Sequence, residues 1–157
     1  MTPAEIDAAL DAYAAGIEAE LPLLSRIREL TDLQHDCSCR DDVEGLCRAG
    51  DAREAVMAEL AEIETRTRPV RNLVARLGAQ ASDRPGYRRV AALRATASET
   101  VSGILAVGEE TKRLIGEAQQ ARARLAEALG AGESTLTAYR RVVSPCTPSA
   151  SLVSARG

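Results

Sequence analysis

The sequence predicts an all-α fold, an elongated antiparallel bundle of three long helices with a flexible C-terminal tail. Three observations carry this. The 157 residues hold no Phe or Trp and only Tyr13, Tyr87 and Tyr139, in a composition led by Ala, Leu, Glu and Arg that favours long helices. Apolar residues recur at steps of three and four through most of the chain, the period of one helix face. No segment shows the strict alternation of a half-buried strand.

The first helix is expected over residues 2–34. Thr2 can cap it, Pro3 suits the first helical position, and Glu5 suits the positive end of the dipole. Ile6, Leu10, Tyr13, Ile17, Leu21, Leu24, Ile27 and Leu30 then form one apolar stripe. Pro22 falls within it and should bend the helix without ending it, because the stripe resumes in phase on both sides.

A second helix is expected to start at Asp41 or Asp42 and run to Leu77, with Val56, Leu60, Ile63, Thr67, Val70, Val74 and Leu77 stepping as a heptad seam. Gly50-Asp51 and Pro69 are places for a kink or a split. "GAQASDRPGYRR" reads as a loop, with Ser82 or Asp83 as the cap of the third helix. That helix is expected over residues 85–129, where Val90, Leu93, Ala97, Thr100, Ile104, Val107, Thr111, Leu114, Ala118, Ala121, Leu125 and Ala128 keep the rhythm. Many of these seam residues are Ala or Thr, a shallow surface with room for a further helix. Gly130 and Gly132 are expected to stop it, which divides the chain into a helical bundle domain, 1–130, and a flexible Ser/Pro-rich tail, 131–157, with one more turn around residues 136–143.

Composition narrows the function classes. A net charge of −3 leaves no basic footprint, and stacking aromatics are scarce, so no nucleic-acid partner is expected. "MTPAEIDAAL" is not a signal peptide, and no apolar run is read as long enough to insert into a membrane. The expected location is cytoplasmic, where cysteines stay as thiols. One histidine, no Gly-x-Ser-x-Gly elbow, no phosphate-binding glycine loop and no His-Glu-x-x-His leave little from which to assemble an active site, so neither an enzyme nor a cofactor is expected. Glu109-Glu110 and Asp41-Asp42 read as solvated helix faces or dipole partners.

"LQHDCSCRDDVEGLC" gathers His35, Cys37, Cys39 and Cys47, all residue types that zinc accepts in tetrahedral sites. The spacing fits less well, since the pair is Cys-x-Cys and no second close pair follows. The simpler expectation is a turn between two helices in which Cys47 is a small buried residue and the other cysteines are exposed. Cys146 falls in the tail, where it could crosslink two copies or add a fourth thiol.

Interaction through helices remains, and here the chain resembles a family. "RDDVEGLCRAGDAREAVMAELAEIE" is similar to the start of the second helix of FlgN-type flagellar export chaperones, "GEETKRLIGEAQQARARLAEALG" to their third helix, and "STLTAYRR" with the tail ending "SLVSARG" to their C-terminus. The resemblance implies a cytosolic chaperone that holds hook–filament junction subunits and delivers them to the flagellar type III export gate. It implies that a C-terminal helical segment of the client is captured at Leu114, Ile115, Ala118, Ala121, Leu125 and Leu129, and that Tyr139 docks to the gate. Helix-in-groove packing on a shallow Ala-rich seam gives the same region a physical rationale. The rival expectations are a homodimeric coiled-coil scaffold and a Cys/His metal- or redox-sensing helical protein.

Overall fold

The computed structural model describes residues 1–143, with side chains through Arg140, and these residues are helical apart from short turns. Helix α1 spans Pro3–Cys39, α2 Val43–Leu77, the one-turn α3 Ala79–Ser82, and α4 Pro85–Val143. The all-α class and the three long helices are as the periodicity predicts. Residues 1–115 form one compact unit, and a second begins at Gly116.

The ends of the helices follow from local chemistry. Thr2 Oγ1 accepts from the Glu5 backbone N–H at 3.3 Å, and the Glu5 carboxylate accepts from the Thr2 N–H at 2.6 Å, a reciprocal capping box with Pro3 at the first helical position. Pro22 lies inside α1 and Pro69 inside α2, and neither ends its helix. Gly50-Asp51 does not split α2 either. α1 runs five residues beyond the expected Gln34, so the turn is Arg40 to Asp42. Asp41 turns the chain there with a positive φ of 56°, a conformation Asp tolerates better than most residues. Asp42 caps α2 by accepting from the Gly45 N–H at 2.9 Å.

The expected loop after α2 contains the short α3. Gly78, at a φ of 49°, lets the chain leave α2. Neither Ser82 nor Asp83 caps α4. Ser82 belongs to α3, where its hydroxyl donates to the Ala79 carbonyl at 2.9 Å, and α4 starts directly after Arg84 with Pro85.

The expected stop at Gly130 and Gly132 does not occur, since α4 continues through both to Val143. A glycine ends a helix when it takes the left-handed conformation, and Gly78 alone does so among the described residues. Each helical glycine costs about 1 kcal/mol relative to Ala, which Ala and Leu neighbours can absorb. Ser134 and Thr135 also donate back to the Gly130 and Ala131 carbonyls at 3.0 and 2.9 Å. Residues 131–143 therefore belong to a helix and not to a tail, while the rest of the expected tail, including Cys146, lies outside the described residues.

Within the first unit α1 runs antiparallel to α2, as Gln34 meeting Arg53 and Gly16 meeting Thr67 require. It runs parallel to the first half of α4: Asp7 pairs with Arg84 just before the helix, Glu18 with Arg89, and His35 with Thr111. α1 is the hydrophobic centre, supplying ten of the fifteen buried apolar residues among those described. Ile6, Leu10, Tyr13, Ala14 and Ile17 meet Val74, Ala81 and Val90 in the main cluster. The chain compensates for missing large aromatics by close approach. A Cβ on Gly16 would lie 2.5 Å from Thr67 Cγ2, so glycine there is what allows α1 and α2 to come together. Buried Thr31, Thr67 and Thr111 return their hydroxyl hydrogens to the carbonyls four residues back, which removes the cost of an unpaired polar group.

By length and composition alone, α4 is apolar enough to cross a membrane, against the sequence expectation. In the fold only Val90 and Ile104 of its apolar run are buried, and Arg94 and Glu99 interrupt that run.

Two carboxyls give the first unit a readable pH dependence. Hydrogen bonding from Arg84, at 2.7 Å from Nε and also from Nη2, holds the Asp7 carboxyl below its usual range. A depressed carboxyl contributes stability above its unfolded pKa and loses it as pH falls through the folded one. Asp7→Asn is therefore expected to lower stability at neutral pH, with the gap to the parent closing below about pH 4 in urea unfolding. Glu20 has the opposite sign. Burial, reinforced by the Glu64 charge and opposed by Arg71, raises its carboxyl, so its ionised form costs stability above the folded pKa and Glu20→Gln should stabilise at neutral pH.

Candidate functional site

The second half of α4 carries the candidate surface. Ala121, Leu125, Leu129, Gly132, Leu136 and Tyr139 follow one another at steps of three and four, which places them within an arc of about 100° on one helix face. Leu125 is 62% exposed, Leu129 64%, Leu136 60% and Tyr139 65%. A solvent-facing leucine is ordinary singly, but a row of them along one face is an unpartnered helix seam. Between the large side chains stand Ala121, Ala128 and Gly132, so the face alternates knobs with shallow steps. Arg122, Arg124, Glu127 and Glu133 share this stretch and are exposed.

The sequence-predicted client residues fall into two groups. Ala121, Leu125 and Leu129 lie on the exposed stretch, while Ala118 is half-buried. Leu114 and Ile115 are also half-buried and belong to the first unit, so they contribute to its packing and are poor probes of binding alone. Tyr139 is exposed. Sequence reasoning missed Leu136, because the expected stop at Gly130 cut the stripe short. The signal was there, since the step from Leu129 through Gly132 to Leu136 and Tyr139 keeps the helical period.

Cys37 and Cys47 exchange the places expected of them, while Cys39 is exposed as expected. Cys37 is the buried one, at 2% exposure, with its thiol 3.7 Å from an Asp42 carboxylate oxygen, whereas Cys47 and Cys39 are exposed. The helix explains the exchange: α1 extends through Cys39, so Cys37 and Cys39, two residues apart, point to nearly opposite sides. His35 Nε2 is 3.7 Å from the Cys39 sulfur, and its Nδ1 is 3.3 Å from Thr111 Oγ1 on α4. Only two of the four residues thus approach each other, and no group of three or more His, Cys, Asp or Glu among the described residues is arranged to hold a metal ion. His35 instead ties α1 to α4.

Several clefts open on the first unit, two of them between α1 and α4. One, of about 450 Å³, is bordered by Tyr13, Glu20, Arg71, Tyr87 and Arg94. The other, of about 230 Å³, lies among Thr31, Gln34, Arg53, Ile104 and Lys112. No family model, no curated protein and no solved structure matches this chain.

Proposed function

We propose that the chain is a helical chaperone that holds a partner by capturing an amphipathic helical segment on the exposed face of α4. The observation that carries this is the row Leu125, Leu129, Leu136 and Tyr139, each at least 60% exposed along one helix face. An incoming helix can set its large apolar residues over Ala121, Ala128 and Gly132 and receive the leucines between its own side chains, which removes apolar area from water on both partners. Resemblance to FlgN-type chaperones supplies the class of client, a C-terminal helical segment of hook–filament junction subunits, and the destination, the flagellar type III export gate, with Tyr139 as the docking residue. Leu114, Ile115 and Ala118 complete the client residues that the resemblance implies.

Titration calorimetry of the purified chain with a purified hook–filament junction subunit tests the assignment. Saturable one-to-one binding with a negative heat-capacity change is the expected result. Absence of binding at micromolar concentrations overturns the flagellar assignment.

A second reading is favoured by the same alternation of large and small residues, which is self-complementary. Two copies of α4 can cover each other's stripe and form a homodimeric scaffold. Sedimentation separates the two: a chaperone is monomeric without client, whereas a scaffold sediments as a dimer at micromolar concentration.

A further inference from the structure

Cys39 closes α1, and it is exposed. One helical turn earlier, Nε2 of the half-buried His35 lies 3.7 Å from the Cys39 sulfur, a hydrogen-bonding distance for sulfur. The other ring nitrogen, Nδ1, is 3.3 Å from Oγ1 of Thr111 on α4. All three residues belong to the first unit.

The hydroxyl of Thr111 decides which nitrogen carries the hydrogen of the neutral ring. Its single hydrogen is donated to the Val107 carbonyl at 2.8 Å, so toward His35 this oxygen can only accept. Nδ1 therefore holds the ring hydrogen and donates it to Thr111. The lone pair is left on Nε2, facing the sulfur, and the thiol donates to it. A nucleophile, a base and a group that orients the base thus stand in sequence, with the third supplied by a separate helix. The other described cysteines lack this arrangement. Cys37 is 2% exposed, and its thiol donates to the Asp42 carboxylate. Cys47 is exposed, but His35 is the only histidine of the chain, and its two nitrogens are engaged by Cys39 and Thr111.

We propose that Cys39 is a base-assisted modification site, which takes up a low-molecular-weight disulfide as a mixed disulfide. His35 Nε2 accepts the thiol proton, and the Cys39 sulfur attacks one sulfur of the incoming disulfide. A new S–S bond forms as the old one breaks, the electron pair leaves on the departing sulfur, and that thiolate takes the proton from Nε2. Cys39 is oxidised from thiol to disulfide, and the departing half is reduced to a thiol. The site uses no residue of the exposed α4 face and is independent of the client reading.

Glutathione disulfide is the probe. The full chain is incubated with it at neutral pH and quenched with acid at intervals, and peptide mass spectrometry follows Cys39 and Cys47, with fragment ions separating Cys39 from Cys37. Rates are expressed relative to Cys47, an exposed thiol with no imidazole beside it. Cys39 is expected to react about tenfold faster than Cys47, because only a small fraction of an ordinary thiol is ionised at neutral pH and a positioned base raises the share that can attack. His35→Gln should erase that lead. If His35 only braced the turn, its loss would leave Cys39 as accessible as before and would not slow it. Thr111→Val should remove most of the lead and Thr111→Ser should keep it, which identifies the accepting oxygen as the cause. A Cys39 no faster than Cys47 in the parent, or a lead that persists in His35→Gln, overturns the proposal. A lead that persists in Thr111→Val overturns the orienting role of Thr111.

Discussion

Leu125→Gln combined with Leu129→Gln is expected to weaken capture of an amphipathic helix by at least about a hundredfold, since each leucine contributes about 1.5–3 kcal/mol on full burial. Glutamine forms helices nearly as well as leucine, so circular dichroism should show the parent helicity. The two side chains are 62% and 64% exposed, so the unfolding midpoint should move by no more than about 2 °C. A parallel loss of helicity and binding would place these leucines in a core. The same change at Leu114 and Ile115 cannot make that separation, because both are half-buried in the first unit and their loss should lower stability as well.

Leu10→Ala is the change expected to damage folding most. Leu10 is wholly buried at the centre of the main cluster, and the Gly86 backbone, at the start of α4, comes close to its side chain. Truncation removes transfer energy and leaves a cavity that rigid helices close only in part, at a cost of about 3 kcal/mol. That corresponds to a fall of roughly 10 °C in the unfolding midpoint. Differential scanning calorimetry measures it, and a shift under about 3 °C would mean that α1 is not the centre of the fold.

The sequence shows the fold where periodicity and capping agree. The stripe from Ile6 to Leu30 is buried almost throughout, and Thr2, Pro3 and Glu5 start α1 as their chemistry dictates. It misleads where one residue type serves two purposes. Gly130 and Gly132 look like a stop, yet glycine ends a helix only through a backbone conformation that no residue name fixes. Ser82 looks like a cap, but Pro85 suits the first position of a helix and moves its start beyond Ser82. Cys37 is buried against expectation because α1 extends five residues and turns it inward, while Cys47, on α2, is exposed. The exposed face of α4 was partly legible as an Ala-rich seam. The burial of Arg53 Nε was not, because only three-dimensional packing decides which acceptors reach it.

The glycines of α4 have a kinetic consequence. A Cβ at Gly108, Gly116, Gly130 or Gly132 would meet nothing within 4 Å, so close packing does not explain why these positions lack a side chain. Each lowers the local free energy of opening by about 1 kcal/mol relative to alanine, and three of the four fall at or beyond Gly116. Amide exchange should therefore be fast along that half of the helix and slow in α1. A partner bound there must hold the helix closed, which shortens the lifetime of the complex relative to an alanine-filled version. On the proposed chaperone reading such a helix favours release, and replacing Gly130 and Gly132 with alanine should slow hand-over even as it tightens binding.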